Sequence, residues 1–387
     1  MSNLICSKCM EVLESKDGKC PKCYSGYPHT YEFKNSDEYL RKETKRVTET
    51  RKESGLEGLV GGLAYVIMNV ELQHQKKVVS ELVARTGLHF RGAFTGEEYV
   101  TAALSTGIKD AADFLIRSRK KQNPFTRYNL NPKSRHLPNT RLETFVFTTP
   151  DIEAYVEIQK SRGVQFLSEI VHADSHSFVQ TSPSSYTGNS TGFIEGEIKN
   201  NFASHGEELN WKIEKPDIPY LKNIKKLDHA ATRVRATDRD AAIIEFMELT
   251  NYAFDFAMYV KMFNSITNVA RLSPEDFAMV FTSGISPYID ENESGPTEKF
   301  IHDYGTRVHH IAFCTENIED TVAGLAHDGM DFLIGLVGSE DEGLKQTFSV
   351  ESAHTLLVNE YIHRFGDFDG FFTKSNVTLL TEATGKQ

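Results

Sequence analysis

From Gly58 onward, short apolar runs of β-strand character alternate with longer amphipathic stretches of helical period. The first unit opens with GLAYVIMNV (62–70), continues with QHQKKVVSELVARTGL (73–88) and returns to a strand-like HFRGAF (89–94). The same order recurs from Arg141, where LETFVFTTP precedes DIEAYVEIQKSRGV, and from Leu227, where LDHAATRV precedes DRDAAIIEFMELTNY. A fourth copy, HHIAFCTENIEDTVAGLAHDGMDFL, follows Val308. Periods near 2 and near 3.6 mark strands and helices respectively. The pattern predicts an α+β chain of four β-α-β-β-β units in two pairs, residues 58–220 and 221–387, and repetition at this scale weighs first in a fold assignment.

The residues before this region behave differently. Residues 31–57, with KNSDEYLRKETKRVTETRKESG, read as a charged linker or an exposed helix. Residues 1–30 hold Cys6-Ser-Lys-Cys9 and Cys20-Pro-Lys-Cys23, a CxxC…CxxC pattern. Each CxxC can fold into a knuckle that offers two thiolates to one metal, and four thiolates make a closed tetrahedral Zn(II) site. So short a segment buries too little to fold without such a staple, so a structural, zinc-ribbon-like unit is expected.

Charge and composition narrow the possibilities. The formal net charge is -11 with a pI near 5.7, which argues against nucleic-acid binding. The most apolar early segment, Leu59 to Val70, is too short to span a bilayer, and MSNLICSKCM has no secretory pattern. Five cysteines in 387 residues are not a disulfide framework. A cytoplasmic protein without nucleic-acid or membrane partners is expected.

The candidate chemistry lies in the second pair. His229 begins one unit, His310 begins the next, and Glu360 stands in LVNEYIHR near the end. Strand alternation puts His310 on one face with Val308 and Ala312, leaves His309 on the other, and groups Glu360 with Val358 and Ile362. Two His and one carboxylate from separate strands make a facial triad. It leaves coordination positions open, as non-haem Fe(II) requires for O2 and a chelating substrate. Mn(II), Co(II) and Zn(II) accept the same donors. The first pair has GLAYVIM around Ala64 and LETFVF around Thr144 at the equivalent strand starts, so its cup is expected to be metal-free.

Four such units in two pairs resemble the vicinal-oxygen-chelate architecture, in which paired units curl a sheet around a cup. More specifically, residues 58–387 resemble the 4-hydroxyphenylpyruvate dioxygenase family. VHHIAFCTENIEDTVAGLAHDGMDFL is similar to the family's segment around its second His, GLKQTFS to its following strand, and NEYIHRFGDFDGFFTKSNVTLLTEA to its Glu strand and C-terminal helix. The resemblance carries the Fe(II)-ligand role to His229, His310 and Glu360. It implies a pocket role for Gln346 and aromatic packing under the C-terminal helix for Phe371 and Phe372. It also implies O2-dependent oxidation of a small aromatic substrate, a 2-oxo acid being the form used in the family, and allows a homo-oligomer. The chain departs from the pattern where the family has a pocket Gln: here that place reads Ser294-Gly295-Pro296. The interval from His310 to Glu360 is closer to that of extradiol ring-cleaving dioxygenases, which are the enzymatic alternative. A non-catalytic protein that holds a small ligand is the third reading.

Overall fold

The computed structural model describes residues 2–6, 28–32, 35–196, 206–291, 294–366, 368 and 370–387. At its start, strand Ser2–Cys6 pairs antiparallel with Pro28–Glu32. Cys9, Cys20 and Cys23 lie outside the described residues, as does the side chain of Cys6.

The charged stretch forms a helix, Asp37–Ser54, that is docked rather than free. Ser36 caps it by accepting from the Tyr39 N–H at 3.1 Å, and Gly55 closes it at φ 77°, a left-handed conformation that suits glycine. Leu40 and Val47 are buried against the third unit. Arg51 reaches the C-terminal end of helix Arg239–Leu249, where its guanidinium donates to the carbonyls of Met247, Tyr252 and Asn251. Met247 is in the last turn of that helix and Asn251 and Tyr252 follow it, so their carbonyls stabilise a buried cation there.

The rest of the chain folds into two sheets of one design. In each unit the first strand leads through a helix to three antiparallel strands, the last of which pairs in parallel with the first. The third unit comprises Ile224–Arg233, helix Arg239–Leu249, Ala253–Val260, Ser265–Arg271 and Ala278–Ser283. The fourth comprises Arg307–Thr315, helix Ile318–His327, Val337–Ser339, Leu344–Phe348 and Val358–Arg364. The first strands of the two units pair antiparallel at the centre and close an eight-stranded sheet. Residues 63–196 repeat the arrangement around Leu63–Asn69 and Arg141–Thr148, where Glu207–Glu208 adds an edge strand.

One face of each sheet faces a core common to both halves. Phe114 meets Phe313 there, Phe145 meets Phe277 and Phe147 meets Phe246, with centroids 6.3, 5.8 and 5.9 Å apart. Two buried hydroxyls at this junction are satisfied: Tyr155 donates to Leu249 O and Tyr361 to Arg85 O, both at 2.7 Å. The opposite faces form the cups. No helix among the described residues is long and apolar enough to cross a membrane.

Two short helices close the C-terminal cup. Pro296–Tyr304 starts on a proline, which suits a first helical turn. Its Glu298 is buried and its Oε1 accepts the N–H groups of Ala236 and Gly284, each at 2.9 Å. Gly284 must be glycine for this approach, because a Cβ would stand 2.5 Å from Ser286 O and 2.6 Å from Glu298 Cγ. The second helix, Lys374–Ala383, turns Val377 and Leu380 inward.

Burial pushes the Glu298 carboxyl up to about 7, against the backbone N–H groups that favour its charge. A folded-state pKa above the unfolded value means stability present at low pH and lost as pH rises from about 4.5 to 7. Wild type is expected to lose stability on the order of 3 kcal/mol over that window through this group. Glu298→Gln, which cannot ionise, is expected to lack this slope. Urea unfolding of both proteins at pH 5 and pH 8 checks it; parallel pH profiles would reject the assignment.

Candidate functional site

Sheet register alone gathers His229, His310 and Glu360. His229 lies opposite Ala312, and Ala312 lies opposite Glu360, so one rung crosses three strands. Two rungs along, on the same face, Ala231 lies opposite His310. Directly paired residues share a face, so all three side chains enter the C-terminal cup. Nε2 of His229 lies 3.1 Å from Glu360 Oε2, and Nε2 of His310 lies 3.2 Å from the same oxygen. The donor atoms lie within 4.8 Å of one another and all three residues are buried.

Each ligand candidate is fixed from behind, and two β-bulges do much of this. Pairing skips Asp228 just before His229, and skips His309 just before His310. A bulge re-aims side chains that alternation would send apart. Asp228 Oδ1 thus accepts from His229 Nδ1 at 2.7 Å, and Arg364 holds Asp228 through two hydrogen bonds. His309 does not point away, as alternation alone predicts, but meets His310 Nδ1 to Nδ1 at 2.8 Å. Its Nε2 contacts Gln387 Oε1 at 2.8 Å, and Gln387 Nε2 donates to Glu351 at 3.3 Å. The chain sets the tautomers. Gln387 Oε1 only accepts, so His309 carries its proton on Nε2, and its Nδ1 accepts from His310. His310 Nε2 is left with a free lone pair facing Glu360.

Gln346 orders the carboxylate. Its Nε2 donates to Glu360 Oε1, while its Oε1 accepts from Asn376 at 3.1 Å. Both ends of the amide are therefore committed, although the residue also lines the pocket.

The electrostatics fit a cation. Burial disfavours charge on His229, but Glu360 and the Asp228 hydrogen bond outweigh it and pull its pKa to about 9. Burial would also raise Asp228, yet His229 and Arg364 hold it well below the usual carboxylate range. Burial, with His309, His229 and Arg233 nearby, keeps His310 neutral. Although close to Glu360, His229 Nε2 is a buried nitrogen without a hydrogen-bond partner. Bonds of about 2.1 Å at right angles would set neighbouring donors about 3 Å apart, matching the observed separations. The residues present therefore fit a first-row divalent metal.

Aromatic rings seal the site. Phe371 and Phe372 lie edge-on to His229 at 5.4 and 5.2 Å, and Phe348 lies 4.7 Å from His310. Beyond them is a cavity of about 50 Å³ bordered by His309, His310, Glu360 and Phe372. In the N-terminal sheet the positions matching His229, His310 and Glu360 hold Tyr65, Thr144 and Gly192. A second cluster of donors, Glu291, His302 and Asp303, lies at the surface. Sequence reasoning missed Asp228, Arg233 and Asn376 as members of the site, and set His309 on the opposite face. For Asp228 the signal was present, since it directly precedes a ligand candidate.

No protein-family model matches the chain, and neither does any curated protein. Solved structures do. A triple mutant of 4-hydroxymandelate synthase from Streptomyces coelicolor superposes with a TM-score of 0.64 at 16% identity, covering 84% of this chain and 98% of that one. A xylose isomerase-like TIM barrel/4-hydroxyphenylpyruvate dioxygenase fusion protein gives 0.61 at 14% identity, covering 90% of this chain and 58% of that one. At such identities the likeness speaks for the fold. Together with the duplicated units and their two cups, it shows that the chain has the vicinal-oxygen-chelate fold, built as two modules in the manner of 4-hydroxymandelate synthase.

Proposed function

We propose that this protein is a non-haem Fe(II) dioxygenase that oxidises a small aromatic substrate with O2. The observation that carries the reading is the convergence of His229 Nε2, His310 Nε2 and Glu360 Oε2 on one point inside a buried cup. Two imidazoles and one carboxylate on one side leave the other side for substrate and O2. A ferrous ion bound there would supply the redox chemistry with O2 and a point of chelation for substrate oxygens.

The chain's own residues do the rest. Asp228 and His309 orient the two imidazoles so that lone pairs face inward, and Gln346 keeps Glu360 aimed at them. Phe348, Phe371 and Phe372 exclude water and offer ring faces and edges to an aromatic substrate. The cavity of about 50 Å³ holds roughly four waters, so an aromatic substrate enters by displacing Phe372 or side chains of helix Lys374–Ala383. A 2-oxo acid is the substrate form that the family resemblance favours.

Metal analysis after anaerobic purification tests the reading. About one iron per chain is expected in wild type, and none in His310→Ala, whereas zinc from the four-cysteine segment should be unchanged. O2 uptake with a panel of aromatic 2-oxo acids and catechols should then appear only in wild type, and CO2 release separates the 2-oxo acid reaction from ring cleavage. Iron content that is indifferent to His310→Ala would sink the proposal and leave a non-catalytic ligand-binding protein in front.

Asp228→Asn keeps the shape of the side chain but removes the charge that orients His229. A 10- to 100-fold loss of metal affinity is expected, on the order seen for such outer partners. Competition with a fluorescent chelator measures it, and unchanged affinity would reject the orienting role.

A further inference from the structure

The cup contains one charge that the proposed chemistry leaves unexplained. Arg233 lies on the His229 strand, four residues further on and on the same face. It is 4% exposed and borders the cavity together with His310 and Glu360. Its hydrogen bond runs from Nη1 to Pro296 O at 3.3 Å, and the Phe300 ring lies 4.4 Å from the guanidinium carbon. No carboxylate among the described residues lies within salt-bridge distance of it.

Other buried arginines are answered differently. Arg119 pairs with Glu143 at 2.7 Å, Arg239 with Asp37, and Arg364 with Asp228. Arg51 is surrounded by three carbonyls, and Arg141 by Thr187 O, Thr306 O and Asn129 Oδ1. Arg233 has one long bond to a carbonyl. Arg307, its cross-strand neighbour, also lacks an acid and adds to the positive potential. A guanidinium taken out of water without a counter-ion is costly to keep, unless the site is built to receive an anion.

The wall beside it has the matching chemistry. Ser265, Thr267 and Thr297 bring hydroxyls to the same cavity; Ser265 and Thr297 share one hydrogen bond at 3.2 Å, and the remaining hydroxyl protons can meet the lone pairs that a guanidinium leaves free on a carboxylate. Position then separates this locus from the triad. A strand rises about 3.3 Å per residue, so Arg233 stands about 13 Å along from His229 and about 7 Å beyond the rung that pairs Ala231 with His310. Its side chain faces the Pro296–Phe300 end of the cavity.

We infer that the substrate carries a carboxylate remote from the oxygens that meet His229, His310 and Glu360, and that Arg233 is the counter-ion of that carboxylate. The substrate class is then an aromatic acid with two polar ends: chelating oxygens toward the triad and a carboxylate toward Arg233. The metal-chelating end rests on the function proposed above; the Arg233 contact stands without it.

Binding of phenylacetate and of its neutral analogue phenylacetamide, measured by isothermal titration on the full chain with and without Co(II), tests the inference. Wild type is expected to bind the anion at least tenfold more tightly in both forms. Arg233→Met should lose that preference and keep its affinity for the amide, and Arg233→Lys should retain part of it. Phenylacetate should also raise the Tm of wild type, but not that of Arg233→Met. Equal binding of the two probes by metal-free wild type overturns the inference, and that arm needs no variant to fold. A preference for the anion in metal-free protein that binds no Co(II) would uphold Arg233 while removing the metal reading.

Discussion

The antiparallel pairing of Ile224–Arg233 with Arg307–Thr315 is the constraint on which the rest of the site depends. It joins the third and fourth units into one sheet, and its register sets His229 beside Ala312 and Ala231 beside His310. The parallel pairing of Arg307–Thr315 with Val358–Arg364 then brings Glu360 onto the His229 rung. A slip of one residue in either pairing would turn a donor out of the cup, because side chains alternate with period two. Loops do not set this geometry. It is as rigid as the centre of an eight-stranded sheet, the kind of support that a metal site needs.

The same pairing carries the two bulges, and these distinguish a site from a mere set of inward-facing residues. A regular strand would send Asp228 and His309 to the face opposite their neighbours. The bulges let each reach the ring beside it, so the residue that positions a donor is its neighbour in sequence. The pseudo-symmetry of the two units appears here as well, since Asp228 stands to His229 as His309 stands to His310. One arm ends on the ion pair of Asp228 with Arg364, the other on the hydrogen-bond chain through Gln387 to Glu351. The two imidazoles thus sit in unlike fields: one is drawn toward charge and the other held neutral.

Much of this was legible in the sequence where periodicity speaks. Four repeated strand–helix units, their pairing in twos, and His229, His310 and Glu360 in order on strands follow from apolar spacing and from residue chemistry. Bulges leave no mark in a pattern of period two, so His309 reads as facing away. Charge composition misleads in KNSDEYLRKETKRVTETRKESG, where Leu40 and Val47 are few among charges yet suffice to dock the helix, and where Arg51 serves carbonyls rather than water. Gln346 reads as a polar residue free for a substrate, whereas Asn376, from a helix thirty residues downstream, takes up its oxygen. Arg233 reads as an ordinary charge at the end of a strand. Only the fold shows that no acid among the described residues reaches it.

Comparison of the two cups shows what the duplicated fold leaves open. Where Glu360 stands in one, Gly192 stands in the other, and a Cβ there would meet Thr144 Cγ2 and Val146 Cγ2 at 3.0 Å. The N-terminal cup has thus closed that position by packing. Its bulge residue Glu143 is engaged by Arg119 at 2.7 Å, which leaves its charge paired inside the protein. In the C-terminal cup His229 keeps a buried nitrogen without a hydrogen-bond partner, and Arg233 meets one carbonyl at 3.3 Å. One duplicated framework therefore supports two outcomes. Where a position has closed by packing, as at Gly192, the cup is part of the architecture; where two imidazoles and a carboxylate converge at one point, the cup is built for something that the chain must bind.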